Sequence, residues 1–369
     1  MTRTLWDVLN AIADRRGRKG RQLPLPAILA IAIAAMLAGA NDLRAIFRWG
    51  RRLTPEALAL FGIERAPCHA TYHYVFKSLD GDALTKALGE FARGNGEPGH
   101  IAIDGKTLKG SRRLDAKALH VVSAFATELS AVVGDLVVAP DQNEITAALA
   151  LLKDLKLEGA IITGDAIFCQ REICRTVTDG NGDYLLAVKD NQPELKAAIA
   201  ESFGDLSPCE VSGAAAALPP DIASAETLDK GHGRIETRQI MVSAEVIEHI
   251  DWPGAAQVAR IWRERRIGDK VSTEIAYFVT SLPAAKAGPD RLLALVRAHW
   301  GIENRLHHVR DVSMDEDRCR VRAGGRALAS IRNLGLSLIR ARGLSVREAR
   351  ENFREDRAKA IAVVTGRVL

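Results

Sequence analysis

The chain has few aromatic side chains. Phe, Trp and Tyr make up 5% of its 369 residues, while alanine is abundant, a balance that favours helices. It has no CxxC pair. Its five cysteines, Cys68, Cys169, Cys174, Cys209 and Cys319, are odd in number, and the Cys169/Cys174 spacing suits no zinc knuckle. These features argue against a disulfide framework and a structural zinc site. The thiols read as reduced and mostly buried, as in a cytoplasmic protein. No apolar run reaches the ~20 residues that cross a bilayer. The longest, LPAILAIAIAAMLAGA from Leu25 to Ala40, reads as a buried core helix, and no membrane partner is expected. The opening stretch MTRTLWDVLNAIADRRGRKGR is interrupted by Asp7, Asn10 and Asp14 and does not read as a signal peptide. No internal repeat is visible. Neither charge dominates: 51 Lys and Arg face 46 Asp and Glu, a formal net charge of +5 that tolerates a polyanionic partner without demanding one.

Cations cluster locally instead. Residues 1–97 read as a helical N-terminal domain. Leu5, Val8, Leu9 and Ile12 follow helical spacing. A basic turn (Arg15, Arg16, Arg18, Lys19, Arg21) precedes the Ala-rich helix. Asn41-Asp42 can cap a further helix carrying Arg44, Arg48, Arg51 and Arg52. Thr54 and Pro55 open another, and Thr71 is a cap candidate within HATYHYVFKSLD. Short helices rich in arginine suit a small DNA-binding module. An all-helical packing domain with a solvated face would carry the same pattern.

From residue 98 the period changes. HIAID, LHVVSAFAT and SAVVGDLVVAP read as strands, NEITAALALLKDLKL as an amphipathic helix, GAIITGD and DYLLAVK as buried parallel strands, with a helix between them. The order β-β-β-α-β-α-β predicts an α/β domain over residues 98–345. Its mixed five-stranded sheet has order 3-2-1-4-5 with flanking helices. A mainly β insertion is expected at about 190–289, with three strand-like runs after an Ala/Pro linker at 212–227. The helical period returns at Asp290 as one long helix, and residues 346–369 form a helical tail.

Three acids stand at informative places. Asp104 ends the first strand, in HIAIDGKTLKGSRR, Asp165 follows the fourth, and Glu303 lies in the late helix. Parallel neighbours 1 and 4 would bring Asp104 and Asp165 together at the carboxyl edge of the sheet, where ligand sites of open α/β sheets form. A helix packed across that edge adds Glu303. Carboxylates so placed require protons or cations, and hard Mg²⁺ or Mn²⁺ prefers such oxygen ligands. Two such ions would serve phosphodiester chemistry. The plainer readings are that Asp104 forms a turn, that Asp165 caps the next helix, and that Asp311, Asp315, Glu316 or Asp317 replaces Glu303. Glu303 is preferred because His299, His307 and Arg310 share its helical face. Lys106, Lys109, Arg112 and Arg113 follow Asp104 and suit phosphates. Lys189, Asn191 and Gln192 follow the fifth strand. Arg234, Glu236 and Arg238 share a strand face, tracking DNA or facing solvent. Trp300 stacks on a displaced base or packs in the core.

Taken together, IAIDGKTLKGS, HVVSAFA, NEITA, ITGDAIFCQ, DYLLAVKDNQPEL, GHGRIETR, YFVTSL and HWGIENRLHHVRDVSMDED resemble the ISAs1 family of transposases, also called the H-repeat-associated protein family, within the IS4-like DDE transposases. The stretches come in the family's order over nearly the whole chain. The resemblance implies an RNase H-like catalytic domain with a β insertion before the Glu and an associated N-terminal domain. By motif match, Asp104, Asp165 and Glu303 would be the metal-binding catalytic acids, with Mg²⁺ replaceable by Mn²⁺. His299, Trp300 and Asn304 fall in the family's HW.IEN pattern. Val296, His299 and Arg310 stand where IS4-like proteins have an aromatic, an Arg and a Lys. The implied function is cleavage at the ends of an insertion sequence and strand transfer into target DNA, by a homodimer on paired ends. The alternatives are an inactive or domesticated transposase that binds DNA, and an RNase H-like nuclease.

Overall fold

The computed structural model describes residues 3–94, 96, 99–112, 117–204, 206, 218–231, 233–321 and 324–367. Arg113, Cys209 and the 212–217 part of the expected linker lie outside the described residues. The helices are α1 (Leu5–Asn10), α2 (Leu25–Leu37), α3 (Leu43–Gly50), α4 (Pro55–Leu60), α5 (His69–Ser78), α6 (Gly81–Arg93), α7 (Glu144–Asp154), α8 (Arg171–Asp179), α9 (Pro193–Phe203), α10 (Pro289–His299), α11 (Gly325–Arg340), α12 (Val346–Glu355) and α13 (Arg357–Thr365). The strands are β1 (His100–Leu108), β2 (Leu119–Ala126), β3 (Ala131–Val137), β4 (Ile161–Gly164), β5 (Asp183–Val188), β6 (Ile222–Gly231), β7 (Arg234–Ser243), β8 (Gln257–Ile267) and β9 (Lys270–Thr280).

The chain clusters into two compact units. One comprises Met1–Gly96, Gly105–Pro140 and Ile302–Leu369, the other Glu97–Asp104 and Asp141–Gly301. In the first, side-chain caps start the helices. Asp42 accepts the Ala45 N–H at 2.7 Å, and Thr54 accepts that of Ala57, with Pro55 at the first helical position. Helix α5 departs from expectation. It starts at His69, and the Thr71 hydroxyl lies 3.3 Å from Cys68 Sγ instead of capping. Helix α2 is apolar on every side, and all its residues from Ala27 to Leu37 are fully buried. Such a helix must be wrapped by others, and α1, α3, α11 and α13 do this. Each buried Leu or Ile there contributes roughly 1.5–3 kcal/mol. The C-terminal segment is therefore part of the core around α2, through α13.

In the second unit, β1 pairs with β4 and β4 with β5, both in parallel. β9 joins β5 antiparallel, and β8, β7 and β6 continue as an antiparallel meander. The hydrogen-bonded order is β3-β2-β1-β4-β5-β9-β8-β7-β6, a mixed α/β sheet that contains the order 3-2-1-4-5 and adds the insertion at its β5 edge. The insertion has four strands where three were expected. The fourth, β6, includes Ile222–Thr227, assigned above to the linker. An unbroken ladder from Ile222 opposite Ser243 to Gly231 opposite Arg234 overrides the segment's Ala-rich composition, and Ala225 packs on the core. Ile161, Leu185, Ile240, Ile261, Leu292 and Leu295 belong to that core, so α10 lies on the sheet. The long helix expected from Asp290 stops at His299. The chain then runs in π-helical turns at Ile302–His307 and Val309–Ser313.

Candidate functional site

In the second unit, Ile103 stands opposite Gly164 in the β1–β4 ladder, and the next residues on these two strands are Asp104 and Asp165. Their Cα atoms therefore lie about one interstrand spacing apart, roughly 5 Å. β1 continues to Leu108, so Asp104 stands inside the strand and not at its end as expected, while Asp165 directly follows β4. Gly164 lets the two strands and the following turn approach closely, since an added Cβ would meet Ile103 Cγ1 at 3.0 Å and Phe168 Cβ at 3.2 Å. Asp165 begins the short 3₁₀ turn Ala166–Phe168, but its carboxylate makes no capping hydrogen bond, and its side chain is 54% exposed. Asp104 is half-buried. The turn after Asp165 is held from the end of β5. Asn191 donates from Nδ2 to the Ala166 carbonyl at 2.7 Å, and Gln192 donates to that of Cys169 at 3.0 Å. Both amides thus serve the loop. Lys189 is exposed.

Behind the acids, the Thr163 hydroxyl sits between two imidazoles, 2.7 Å from His100 Nε2 and 3.0 Å from His299 Nδ1. His299 Nε2 lies 3.8 Å from Asp165 Oδ1. Burial, aided by His299, pushes His100 down to about 4. Burial also lowers His299, against the upward pull of the Asp165 and Asp104 carboxylates. The hydroxyl has one proton. Donating it to His299 Nδ1 leaves the imidazole's own proton on Nε2, facing Asp165, the arrangement the carboxylate favours. His299 thus faces an acid from a mostly buried position, beyond direct hydrogen-bond distance. Next to it, Trp300 is 52% exposed, which rules out the core packing considered for it. On the insertion, Arg238 pairs with Asp229 at 2.6 Å and with buried Glu236 at 2.8 Å, and Arg234 lies 3.7 Å from Glu236. The shared face found in the sequence is therefore a salt-bridge network, with Arg234 at its half-exposed margin.

In the first unit, Glu303 and Asn304 are exposed on the first π-helical turn. Such turns are rare and frequent at functional sites. Glu303 and buried His307 bring ligand atoms within 4.8 Å of each other. The sequence showed His307 only as part of a polar face; its i+4 spacing from Glu303 was the available signal. The acids that rivalled Glu303 are all paired with cations. Lys106 holds Asp311 at 2.6 Å, Lys109 holds Asp317 at 2.8 Å, and Arg318 lies 3.6 Å from Asp315. Glu316 accepts from Arg310 at 2.7 Å and from Arg332 at 2.9 Å. No lysine or arginine ion pair holds Glu303 among the described residues. The same geometry limits two expected DNA contacts: Arg310 is 1% exposed, and the Lys106 side chain is 10% exposed. Lys109 and Arg112 remain exposed. Oxygen donors of this kind fit a hard divalent ion, and a histidine nitrogen is compatible with Mn²⁺.

Two family models match. "DDE_Tnp_1-associated" covers residues 6–92, and "Transposase DDE domain" covers residues 95–338. The chain is 33% identical to "Putative transposase YncI" of Escherichia coli O157:H7, over 91% of this chain and 87% of that protein. It is 31% identical to "H repeat-associated putative transposase YhhI" of E. coli K12, over 91% and 90% respectively. Among solved structures it is similar to the piggyBac transposase in its synaptic complex with hairpin DNA, with a TM-score of 0.45, 10% identity and coverage of 98% and 80%.

Proposed function

The chain belongs to the transposase DDE domain family, and from that premise we propose that it cuts the ends of an insertion sequence and joins them to target DNA, using divalent metal held by Asp104, Asp165 and Glu303. The observation that carries this reading is the pairing of β1 with β4, which sets Asp104, inside β1, beside Asp165, the residue that follows β4. The cation partners of Asp311, Asp315, Glu316 and Asp317 support Glu303 as the third acid. Mg²⁺ is the proposed ion, with Mn²⁺ as substitute; when bound, it neutralises charge and activates oxygen nucleophiles at a phosphodiester.

The chain's own residues hold the acids in place. Asn191 and Gln192 fix the turn after Asp165, and His299 restrains the Asp165 carboxylate from one side. Exposed Lys109, Arg112 and Lys189 approach phosphates of the DNA. Arg234, Asn304 and Trp300 are further contacts in this proposal, Trp300 by stacking on an unpaired base. Residues 1–97 dock the duplex, and two copies act on paired ends. The test is incubation with plasmid carrying the DNA that flanks the gene, with Mg²⁺, alongside Asp104→Ala. Nicks at discrete end positions that disappear in the variant are expected. Duplex binding without metal-dependent nicking would leave a DNA-binding protein, and nicking without end preference a nuclease. Either result overturns the proposal.

A further inference from the structure

Within the first unit, α5 stands between two basic grooves. Its core-facing side chains, Tyr72, Val75 and Phe76, are buried. The opposite stripe, Ala70, His73, Tyr74 and Lys77, is exposed at i, i+3, i+4 and i+7 spacing, and Tyr74 is 66% exposed. A tyrosine that open is unusual, since burying its ring is favourable. On one side, α5 residues including Tyr74 and Lys77 line a groove of about 830 Å³ with Arg15, Lys19 and Arg65. On the other side, His69 and His73 line a groove of about 580 Å³ with Arg44, Arg318 and Arg320.

The charges in these grooves are mostly uncommitted. Lys19, Arg44, Arg65, Lys77 and Arg320 have no carboxylate partner among the described residues. Arg15 pairs with Asp80, Arg16 with Asp14, and Arg318 with Asp315. Among the described residues no carboxylate lines the larger groove, and the one in the smaller, Asp42, already caps α3. A ridge flanked by two positive channels matches a duplex, which presents two phosphate strands on either side of a major groove about 12 Å wide, enough to admit one helix. Ten residues of helix span about 15 Å, the length of some four or five base pairs.

We propose that α5 is the duplex-reading helix of this chain. His73, Tyr74 and Lys77 meet base edges in the major groove, while the cations of the two flanking grooves grip one phosphate strand each. The proposal deepens the end-recognition part of the function given above and rests on it for the identity of the DNA. It is tested in EDTA, where no metal-dependent cleavage occurs, so the two fail separately. Loss of nicking with binding retained would count against the catalytic reading only.

The experiment is fluorescence polarisation of the full-length chain with two labelled duplexes, one from the DNA flanking the gene and one of shuffled sequence, over a series of salt concentrations. Lys19→Ala with Arg65→Ala is expected to weaken both duplexes alike and to flatten the salt dependence by about 0.9 in log–log slope for each phosphate that is no longer neutralised. His73→Ala with Tyr74→Ala is expected to lower the preference for the flanking duplex by roughly tenfold or more, with the shuffled duplex little affected. These side chains lie outside the core, and thermal melting of each variant confirms its fold. Wild-type binding by both double variants overturns the proposal, as does failure of the wild-type chain to bind duplex. Equal displacement of the flanking duplex by polyglutamate would assign the surface to an acidic protein instead.

Discussion

Replacing Glu316 with Gln tests the energetics of the segment that carries Glu303. Glu316 is 4% exposed and accepts hydrogen bonds from Arg310 Nε at 2.7 Å and Arg332 Nη1 at 2.9 Å, while its own N–H donates to the Arg310 carbonyl at 3.0 Å. Burial pushes its carboxyl upward, but the charges of Arg310 and Arg332 outweigh burial and hold it at about 2, from an ordinary value of 4.5. At about 1.4 kcal/mol per pH unit, that depression corresponds to roughly 3 kcal/mol of stability. Removal of one partner from a buried pair costs a similar amount, roughly 3–5 kcal/mol, because two buried guanidiniums lose their counter-charge. The folded value is depressed, so this stability is fully present above about pH 4.5 and is lost as pH falls through about 2. Urea titrations of the wild-type and Glu316→Gln proteins at pH 7 should differ by roughly 3 kcal/mol in the first unit's transition. The gap should narrow as pH falls below about 4.5. A difference under about 0.5 kcal/mol at pH 7, the usual scale of surface substitutions, would rule out this energetic role for the buried carboxylate. So would a gap that stays constant into acid.

Other perturbations give sharper local readouts. Gly110→Ala should destabilise the first unit by roughly 1–3 kcal/mol or more in a thermal scan, because its Cβ would clash with the Cys319 carbonyl oxygen and meet that of Glu316 at 3.0 Å. A wild-type melting curve would contradict that close approach. Thr163→Val removes the hydroxyl joining His100 and His299 and should cost about 1–3 kcal/mol by denaturant titration. His299→Ala should lower the Mg²⁺-dependent nicking rate by roughly 10-fold to 100-fold while leaving duplex affinity in EDTA unchanged. Equal losses in both would mean a DNA-contacting role instead.

The parallel core strands are legible in the sequence because strands buried on both faces must be continuous apolar runs. GAIITGD and DYLLAVK became β4 and β5, and the Leu25–Leu37 helix is fully buried from Ala27 on for the same reason. Linker composition misled at Ile222–Thr227, where alanines that are poor strand formers are held by a ladder to β7. The π-helical turns around Glu303 left no sequence signal, because the apolar period continues through them, whereas Gly301, just past the C-cap Trp300, was the available stop signal for α10. The partners of the site residues were illegible for another reason. Thr163 joins His100 and His299 across 63 and 136 residues, and Arg310 shares the Glu316 carboxylate with Arg332 inside the fold. Residue type and spacing marked Arg310 as a cation near the third acid, but burial decided what it does.

The proposed convergence of three distant acids on one metal can be read directly by replacing Mg²⁺ with Fe²⁺ and adding ascorbate, so that radicals generated at the bound ion cut the nearby backbone. Convergence predicts backbone cuts clustered at three places, around Asp104, Asp165 and Glu303, which excess Mg²⁺ suppresses and Asp165→Asn abolishes. Cuts confined to one of these segments, or an unchanged pattern in Asp165→Asn, would contradict it.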